Sequence, residues 1–204
     1  MSVRSLPERG GEIFLTFDDG PEPGSTEAVL DLLAKKNVHA TFFLISQKAL
    51  RHPELVYRIR DGGHAIGNHS PDHAYRNFFR YKPTVCNWIR RAEQDFLTLG
   101  VRQLVGFRPP AGIVNRHVQR AADELGVPLI LWSERFFDAV VPWSLRRAQA
   151  SAARLRGGSI VLLHDCQRAS RTAGFCKTLD DYINRLHARD FRLSALAREM
   201  FSPS

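Results

Sequence analysis

Seven short apolar runs, separated by stretches with helical periodicity, most constrain what this chain can fold into. The runs fall at residues 13–17, 40–45, 65–67, 104–107, 128–132, 159–163 and 191–193. Strands that alternate with helices and are almost continuously apolar are typical of a parallel sheet that is buried on both faces. The pattern therefore predicts an α/β fold.

The segments between these runs carry helix start and stop signals. Ser25 is predicted to cap a helix whose apolar face holds Val29, Leu30, Leu32 and Leu33. Pro53 suits the first turn of the next helix, which the Gly62-Gly63 pair can end. Further helices are predicted at residues 84–99, 115–125, 144–155 and 176–189.

The length of 204 residues limits how many strand–helix units fit. A full eight-unit barrel typically needs about 250 residues, with about 200 near the lower limit. We therefore predict a distorted (β/α) barrel with about seven parallel strands, formed by residues 1–204 as one domain. An open doubly wound sheet is the alternative.

Charge and cysteine content exclude several classes of protein. The net charge is +8, but the basic residues come as scattered pairs rather than blocks, so we do not expect nucleic-acid binding. A peripheral membrane contact stays open. The three cysteines have no C-x-x-C spacing, which argues against a zinc knuckle or a disulfide framework.

No apolar run approaches the roughly 20 residues of a membrane helix. The polar first eleven residues lack the apolar core of a secretory signal, so a cytoplasmic location is expected unless a leader was removed. The oligomeric state is left open by the sequence.

Polar residues stand where the predicted strands end, which is where parallel α/β folds gather their catalytic groups. The first strand ends in Thr-Phe-Asp-Asp-Gly-Pro, and adjacent carboxylates such as Asp18 and Asp19 are costly to hold together without a cation or a proton. The third strand is followed by His69 and His73, whose i, i+4 spacing suits one side of a helical turn. With a carboxylate they form a three-ligand set that suits zinc or a similar divalent ion.

Two further strand ends complete the pattern. Arg108 lies in the rigid Arg-Pro-Pro-Ala-Gly loop and can orient a carboxylate through a bidentate pair. His164 ends the sixth run and is a natural general acid. Taken singly, each of these motifs also fits an ordinary turn or a structural histidine.

Together, the motifs T-F-D-D-G-P, H-S-x-x-H, R-P-P-x-G and L-x-H resemble those of the polysaccharide deacetylases of carbohydrate esterase family 4, which share the NodB homology domain. The resemblance covers about residues 13–193, and the chain is similar in length to the compact chitooligosaccharide deacetylases. It implies a distorted (β/α) barrel that removes N-acetyl groups from an amino sugar with a divalent metal, zinc first and cobalt or nickel as alternatives.

The resemblance also implies residue roles. Asp19, His69 and His73 would hold the metal, and Asp18 would be the base that takes a proton from the attacking water. The metal and the backbone N–H of Ala111 would hold the oxyanion, and His164 would protonate the leaving amine. The supporting residues would then be Arg108, which orients Asp18, Asp138, which supports His164 or Arg108, and Trp132, which lines the substrate pocket.

Two positions depart from the family pattern. Ala111 stands where the family has Tyr, and Ala139 follows Asp138 where the family has Trp. Phe136, Phe137 or Trp143 is a candidate to fill the space that Ala139 leaves. The aromatic segment 74–82 fits either a sugar-stacking loop or a core-packed connection.

Three functions are compatible with these residues. The leading hypothesis is an N-deacetylase acting on an N-acetylglucosamine-containing oligosaccharide, polysaccharide or related glycoconjugate. The alternatives are an O-acetyl sugar esterase and a catalytically silent glycan-binding domain.

Overall fold

The computed structural model describes residues 2–7 and 11–201. Within them, short strands alternate with helices and nearly every strand pair is parallel. The strands are β1 (Ser2–Val3), β2 (Glu12–Asp18), β3 (Thr41–Leu44), β4 (Ala65–Asn68), β5 (Leu129–Ile130), β6 (Glu134–Arg135), β7 (Ile160–His164) and β8 (Arg192–Leu193). The helices are α1 (Ser25–Lys35), α2 (Ser46–Arg51), α3 (Pro53–Asp61), α4 (Lys82–Thr98), α5 (Arg116–Leu125), α6 (Leu145–Arg154) and α7 (Ala169–His187).

The central sheet runs β4-β3-β2-β7-β6, and β8 pairs with the start of β2. An extended segment around Phe107 continues it, because Phe107 bridges to Asn68 on one side and to Leu129 on the other. The chain then runs directly from β5 into β6, which pairs with β7. This continuous stretch closes the sheet into a distorted barrel, so the predicted fold is confirmed.

Strand alternation sorts the side chains between the inside and the outside of the barrel. On β2, Ile13, Leu15 and Phe17 face the helices and belong to the main apolar core, together with residues of α1, α3, α4, α6 and α7. Phe14 packs instead inside the barrel with Phe43, Ile130 and Ile160. Thr16 and Asp18 point into the barrel like Phe14, so the polar site lies above an apolar layer formed by Phe14 and its neighbours.

The helix signals hold where a cap or a proline marks the start. Pro53 lies in the first turn of α3 and Gly62 ends it. Asn115 and Ser144 cap α5 and α6 with their side chains. The prediction for Ser25 is wrong: Gly24 is the N-cap of α1, and the Ser25 hydroxyl accepts a hydrogen bond from the Gln167 backbone N–H at 3.0 Å.

Other differences concern short or polar segments. Residues 104–107 do not form a regular strand, and of these four only Phe107 makes isolated bridges. By contrast, α2 and β6 form in stretches with too few apolar residues to predict them. Helix α4 begins at Lys82, earlier than predicted, and α7 begins at Ala169 rather than at Cys176. The sequence did not indicate the first turns of α7, because they face solvent and carry no apolar periodicity. Among the described residues, no helix combines the length and apolar character needed to cross a bilayer.

Candidate metal centre and active site

Asp19, His69 and His73 converge at the carboxyl end of the barrel. Asp19 Oδ1 lies 3.3 Å from His69 Nε2 and 3.2 Å from His73 Nε2, and one ligand atom from each residue lies within 4.8 Å of the others. Asp19 follows β2 directly with a left-handed φ of 73°, which turns its side chain away from that of Asp18. Asp19 therefore contacts both imidazoles, whereas Asp18 approaches only His69 of the two, at 3.8 Å.

The two histidines are not on a helical turn, so that part of the sequence reasoning is wrong. His69 leaves β4 in an irregular loop in which Ser70 and His73 have left-handed φ values of 78° and 55°. Asn68 Oδ1 accepts from the Ser70 N–H at 2.7 Å, and Ser70 Oγ accepts from the His73 N–H at 3.0 Å. These side-chain bonds fold the loop so that both imidazoles face Asp19.

The donor set fits a divalent cation. His69 Nδ1 lies 2.7 Å from the backbone carbonyl of Arg108, which only accepts, so Nδ1 carries a proton and neutral His69 presents a lone pair at Nε2. That lone pair faces Asp19 Oδ1, a buried acceptor that receives no hydrogen bond from the described residues. Two acceptors in contact require a proton or a cation between them, and one carboxylate with two imidazoles is a common zinc set.

The same neighbours act on the pKa of Asp19. Burial raises this pKa, but His69 and His73 outweigh burial when a proton or a cation lies between them and Asp19, so the net pKa lies well below its usual range. Asp19 is therefore a carboxylate, the form that binds metal.

Arg108 is fully buried inside the barrel, beside Asp18. Its Nη1 donates to Asp18 Oδ1 and to Thr16 Oγ1, both at 2.7 Å. Nε and Nη2 donate to the carbonyls of Ile130 and Leu131. The expected bidentate pair is therefore wrong, because the guanidinium divides its donors between one carboxylate oxygen and the barrel backbone. Asp18 Oδ2 is left facing His69 Nε2 at 3.8 Å.

His164 ends β7, directly beside Asp18 in the parallel register. Its Nδ1 lies 3.0 Å from Asp138 Oδ1, and its backbone N–H donates to Asp138 Oδ2 at 2.8 Å. Gln167 donates a further bond to the same carboxylate. Burial lowers the pKa of His164, but the Asp138 hydrogen bond and the charges of Asp138, Asp18 and Asp19 raise it to about 9. The structure thus brings Asp138 to His164 rather than to Arg108.

Ala111 and Trp132 lie on the other side of the site. The Ala111 backbone has a left-handed φ of 52°, and its N–H donates to no described residue. Trp132 packs on Gly112, where an added Cβ would lie 2.5 Å from the indole ring. The Ala111 N–H and the Trp132 ring therefore flank Asp19, His69 and His73.

These residues surround one cavity of about 240 Å3, behind which lie Arg108 and Asp138. Its lining is formed by Asp18, Asp19, His69, His73, Tyr75, Ala111, Trp132, Arg135, Phe137, Ala139, Val140, Leu162 and His164. A larger cavity of about 930 Å3 lies near β1 and α5 and contains none of the predicted site residues.

The aromatic candidates divide between cavity and core. Phe137 lines the cavity beside Ala139, whereas Phe136 and Trp143 pack on each other in the core at a tilt, with their ring centroids 4.5 Å apart. Within segment 74–82, Tyr75 lines the cavity edge-on to His73, and Phe78 is fully buried. The segment is therefore partly cavity wall and partly core.

Sequence reasoning did not single out Arg135 or Asp165. Asp165 is fully buried beside Gly20, accepts a hydrogen bond from Thr26 at 2.6 Å, and has one oxygen without a partner among the described residues. Burial raises its pKa to about 7, against the lowering effect of the Thr26 bond. Its position next to His164 was the available signal. Cys166 lies 3.9 Å from Asp19 Oδ2, and burial raises the pKa of its thiol.

Comparison with known proteins identifies related sequences along most of the chain. The family model for polysaccharide deacetylase matches residues 6–130. The chain is 34% identical to a peptidoglycan-N-acetylglucosamine deacetylase of Bacillus cereus, over 86% of this chain and 84% of the relative. It is 33% identical to the chitooligosaccharide deacetylase of Sinorhizobium fredii, over 95% of both chains.

Other relatives are longer, and solved structures share the fold. The chain spans 36% of the peptidoglycan-N-acetylglucosamine deacetylase of Listeria monocytogenes, with 33% identity over 88% of its own length. A family 4 carbohydrate esterase from Streptomyces lividans, solved in complex with acetate, superimposes with a TM-score of 0.81 and 26% identity, over 94% of this chain and 95% of that one.

Proposed function

Because this chain belongs to the polysaccharide deacetylase family, we propose that it is a metal-dependent hydrolase that removes N-acetyl groups from an N-acetylglucosamine-containing glycan. The observation that carries the proposal is the shared cavity, in which Asp19, His69 and His73 stand beside Asp18 and His164. A carboxylate base and a protonated imidazole beside a metal site are the parts that amide hydrolysis needs.

The family is metal-dependent, and zinc is our proposal for the ion held by Asp19, His69 and His73. A bound divalent cation supplies Lewis acidity to the acetyl carbonyl and lowers the pKa of a water molecule. Asp18, held by Arg108 at 2.7 Å, then takes a proton from the attacking water. The Ala111 N–H donates to the oxyanion that forms on the acetyl oxygen.

The remaining step is departure of the amine. The Nδ1–H of His164 donates to the Asp138 carboxylate, so the proton on Nε2 is the one available for transfer in the cavity. Transfer of that proton to the sugar nitrogen completes cleavage of the C–N bond and leaves acetate and a free amino sugar. The cavity, at about 240 Å3, is smaller than the roughly 300–1,000 Å3 of sites that enclose a drug-sized ligand. One acetamido sugar therefore enters, and the rest of the glycan lies outside.

The test combines metal analysis with acetate release from chitooligosaccharides, peptidoglycan fragments and acetylated xylan. We expect about one zinc per chain, and loss of both metal and acetate release in His69→Ala. His187→Ala, a change at an exposed histidine of α7, is the matched control and should retain both. Metal binding without acetate release from these three substrates or from N-acetylglucosamine 1-phosphate would refute the proposal.

The same assay separates N-deacetylation from O-deacetylation. An ester has a better leaving group than an amide, so His164→Ala should slow amide cleavage far more than ester cleavage. Equal losses on both substrates would count against an acid dedicated to amine departure.

A further inference from the structure

Arg135 enters the cavity from β6, on the strand that completes the barrel next to β7. It pairs in register with Leu162, another residue of the cavity wall. Its neighbour Glu134 points to the other face of the strand, where both of its oxygens accept from Arg154 Nη2 at 2.6 and 2.8 Å. The nearest carboxylate in sequence is therefore engaged elsewhere.

Two aromatic rings hold the guanidinium of Arg135. Its Cζ lies 4.2 Å from the centre of the Phe137 ring and 5.9 Å from that of Trp132. Phe137 has a left-handed φ of 59°, a conformation that is costly for a bulky residue. Stacking restrains the plane of a guanidinium and leaves its N–H edge available for a planar anion.

The other charges of the cavity already have partners. Asp18 is paired with Arg108, Asp138 with His164, and Asp19 with two imidazoles that fit a metal. Arg135 forms no ion pair or side-chain hydrogen bond with residues 2–7 or 11–201. It is thus a cation without a carboxylate at the rim of the site.

We propose that Arg135, Phe137 and Trp132 form an anion subsite, and that the natural substrate carries a carboxylate or a phosphate group on the acetamido sugar or on the unit next to it. This inference rests on the proposed deacetylation. The small cavity keeps the anion close to the reacting acetyl group, and the guanidinium fork matches the oxygens of either group.

Kinetics on three substrates test the subsite: an uncharged chitooligosaccharide, an N-acetylated disaccharide that bears a carboxylate, and N-acetylglucosamine 1-phosphate. We expect kcat/KM to be at least about tenfold higher for one of the two anionic substrates than for the neutral one. Which of the two is preferred identifies the source of the anion. The preference should weaken as salt is added, because the subsite is open to solvent.

Arg135→Gln should reduce the ratio of anionic to neutral kcat/KM by about tenfold. Arg146→Gln, which removes the same charge from the exposed face of α6, should leave the ratio as in the wild type. Calorimetric titration with the deacetylated products, which are not turned over, should give the same order of affinities. Arg135→Lys should keep only part of the preference, because an ammonium lacks the planar fork.

The outcomes separate the two proposals. Absence of acetate release from all substrates by metal-loaded protein refutes the deacetylase function itself. Acetate release with no anionic preference, or an equal effect of Arg135→Gln and Arg146→Gln on the ratio, overturns the anion subsite and leaves the deacetylase function standing.

Discussion

Replacing Asp138 by Asn should shift the upper pH limit of activity. Burial lowers the His164 pKa, whereas Asp138, at 3.0 Å from Nδ1, is the main group that raises it to about 9. Without that charge, burial takes the pKa to about its ordinary value of 6.5 or lower. A general acid must be protonated, so the fall in activity with rising pH should begin at least about 2.5 pH units earlier in the variant.

The magnitude follows from the two pKa values. At pH 8, about nine tenths of His164 is protonated with a pKa near 9 but only about 3% with a pKa near 6.5, so the predicted loss is about 30-fold. The difference between the two pKa values, about 2.5, corresponds to about 3.4 kcal/mol. A divalent cation at Asp19 lowers the His164 pKa in both proteins alike, so the displacement between the two pH profiles is the quantity to measure.

Asp138→Asn should also lower the free energy of unfolding while His164 is protonated. A pKa raised on folding contributes stability that is fully present below about pH 6.5 and is lost as the pH rises through about 9. The difference in the free energy of unfolding between wild type and Asp138→Asn should therefore be largest below about pH 6.5, decrease between about pH 6.5 and 9, and be close to zero above about pH 9.

The assays are pH–rate profiles of acetate release and NMR titration of the His164 ring. Asp181→Asn is the matched control, because it removes a carboxylate that pairs with Arg185 on α7, outside the cavity. Profiles that superimpose, with kcat lowered equally at every pH, would mean that Asp138 holds His164 in place without setting its pKa.

Three further predictions concern packing around the site. Gly20→Ala places a Cβ 2.2 Å from Asp165 Oδ2 and should lower the free energy of unfolding, measured by urea denaturation, by about 1–3 kcal/mol. In the double variant with Asp165→Ala, the loss of unfolding free energy should be smaller than the sum of the two single losses. Arg108→Met should cost about 3–5 kcal/mol in the same assay, since it leaves the buried Asp18 carboxylate without its cation; a loss under 1 kcal/mol would refute this. Gly112→Ala should displace the Trp132 ring, visible as a change in tryptophan fluorescence, and raise KM.

The sequence predicted the architecture because strand alternation is a local property. An apolar run on β2 and β7 specifies a strand, and the parallel order specifies which end carries the polar groups. For Asp18, Asp19 and His164, sequence position alone therefore indicated a shared site. Helix boundaries were predictable where a cap residue such as Asn115 marked them.

The directions in which individual side chains point were harder to predict from the sequence. The spacing of His69 and His73 suggested a helical turn, whereas left-handed residues and two side-chain hydrogen bonds to the loop backbone bring them together. Ser25 looked like a helix cap, yet its hydroxyl bonds to Gln167, which is 142 residues away in sequence. Such pairings depend on long-range packing.

What the sequence determined by itself is the fold and the residue types that stand at the strand ends, because both follow from periodicity and from motifs within a few residues. Only the tertiary structure decided the partners: the single Arg108 bond to Asp18, the Asp138 contact with His164, and the position of Arg135 over the Phe137 ring at the cavity rim. The physical reason is that charge and burial at each group depend on side chains from distant strands, which meet only when the barrel closes.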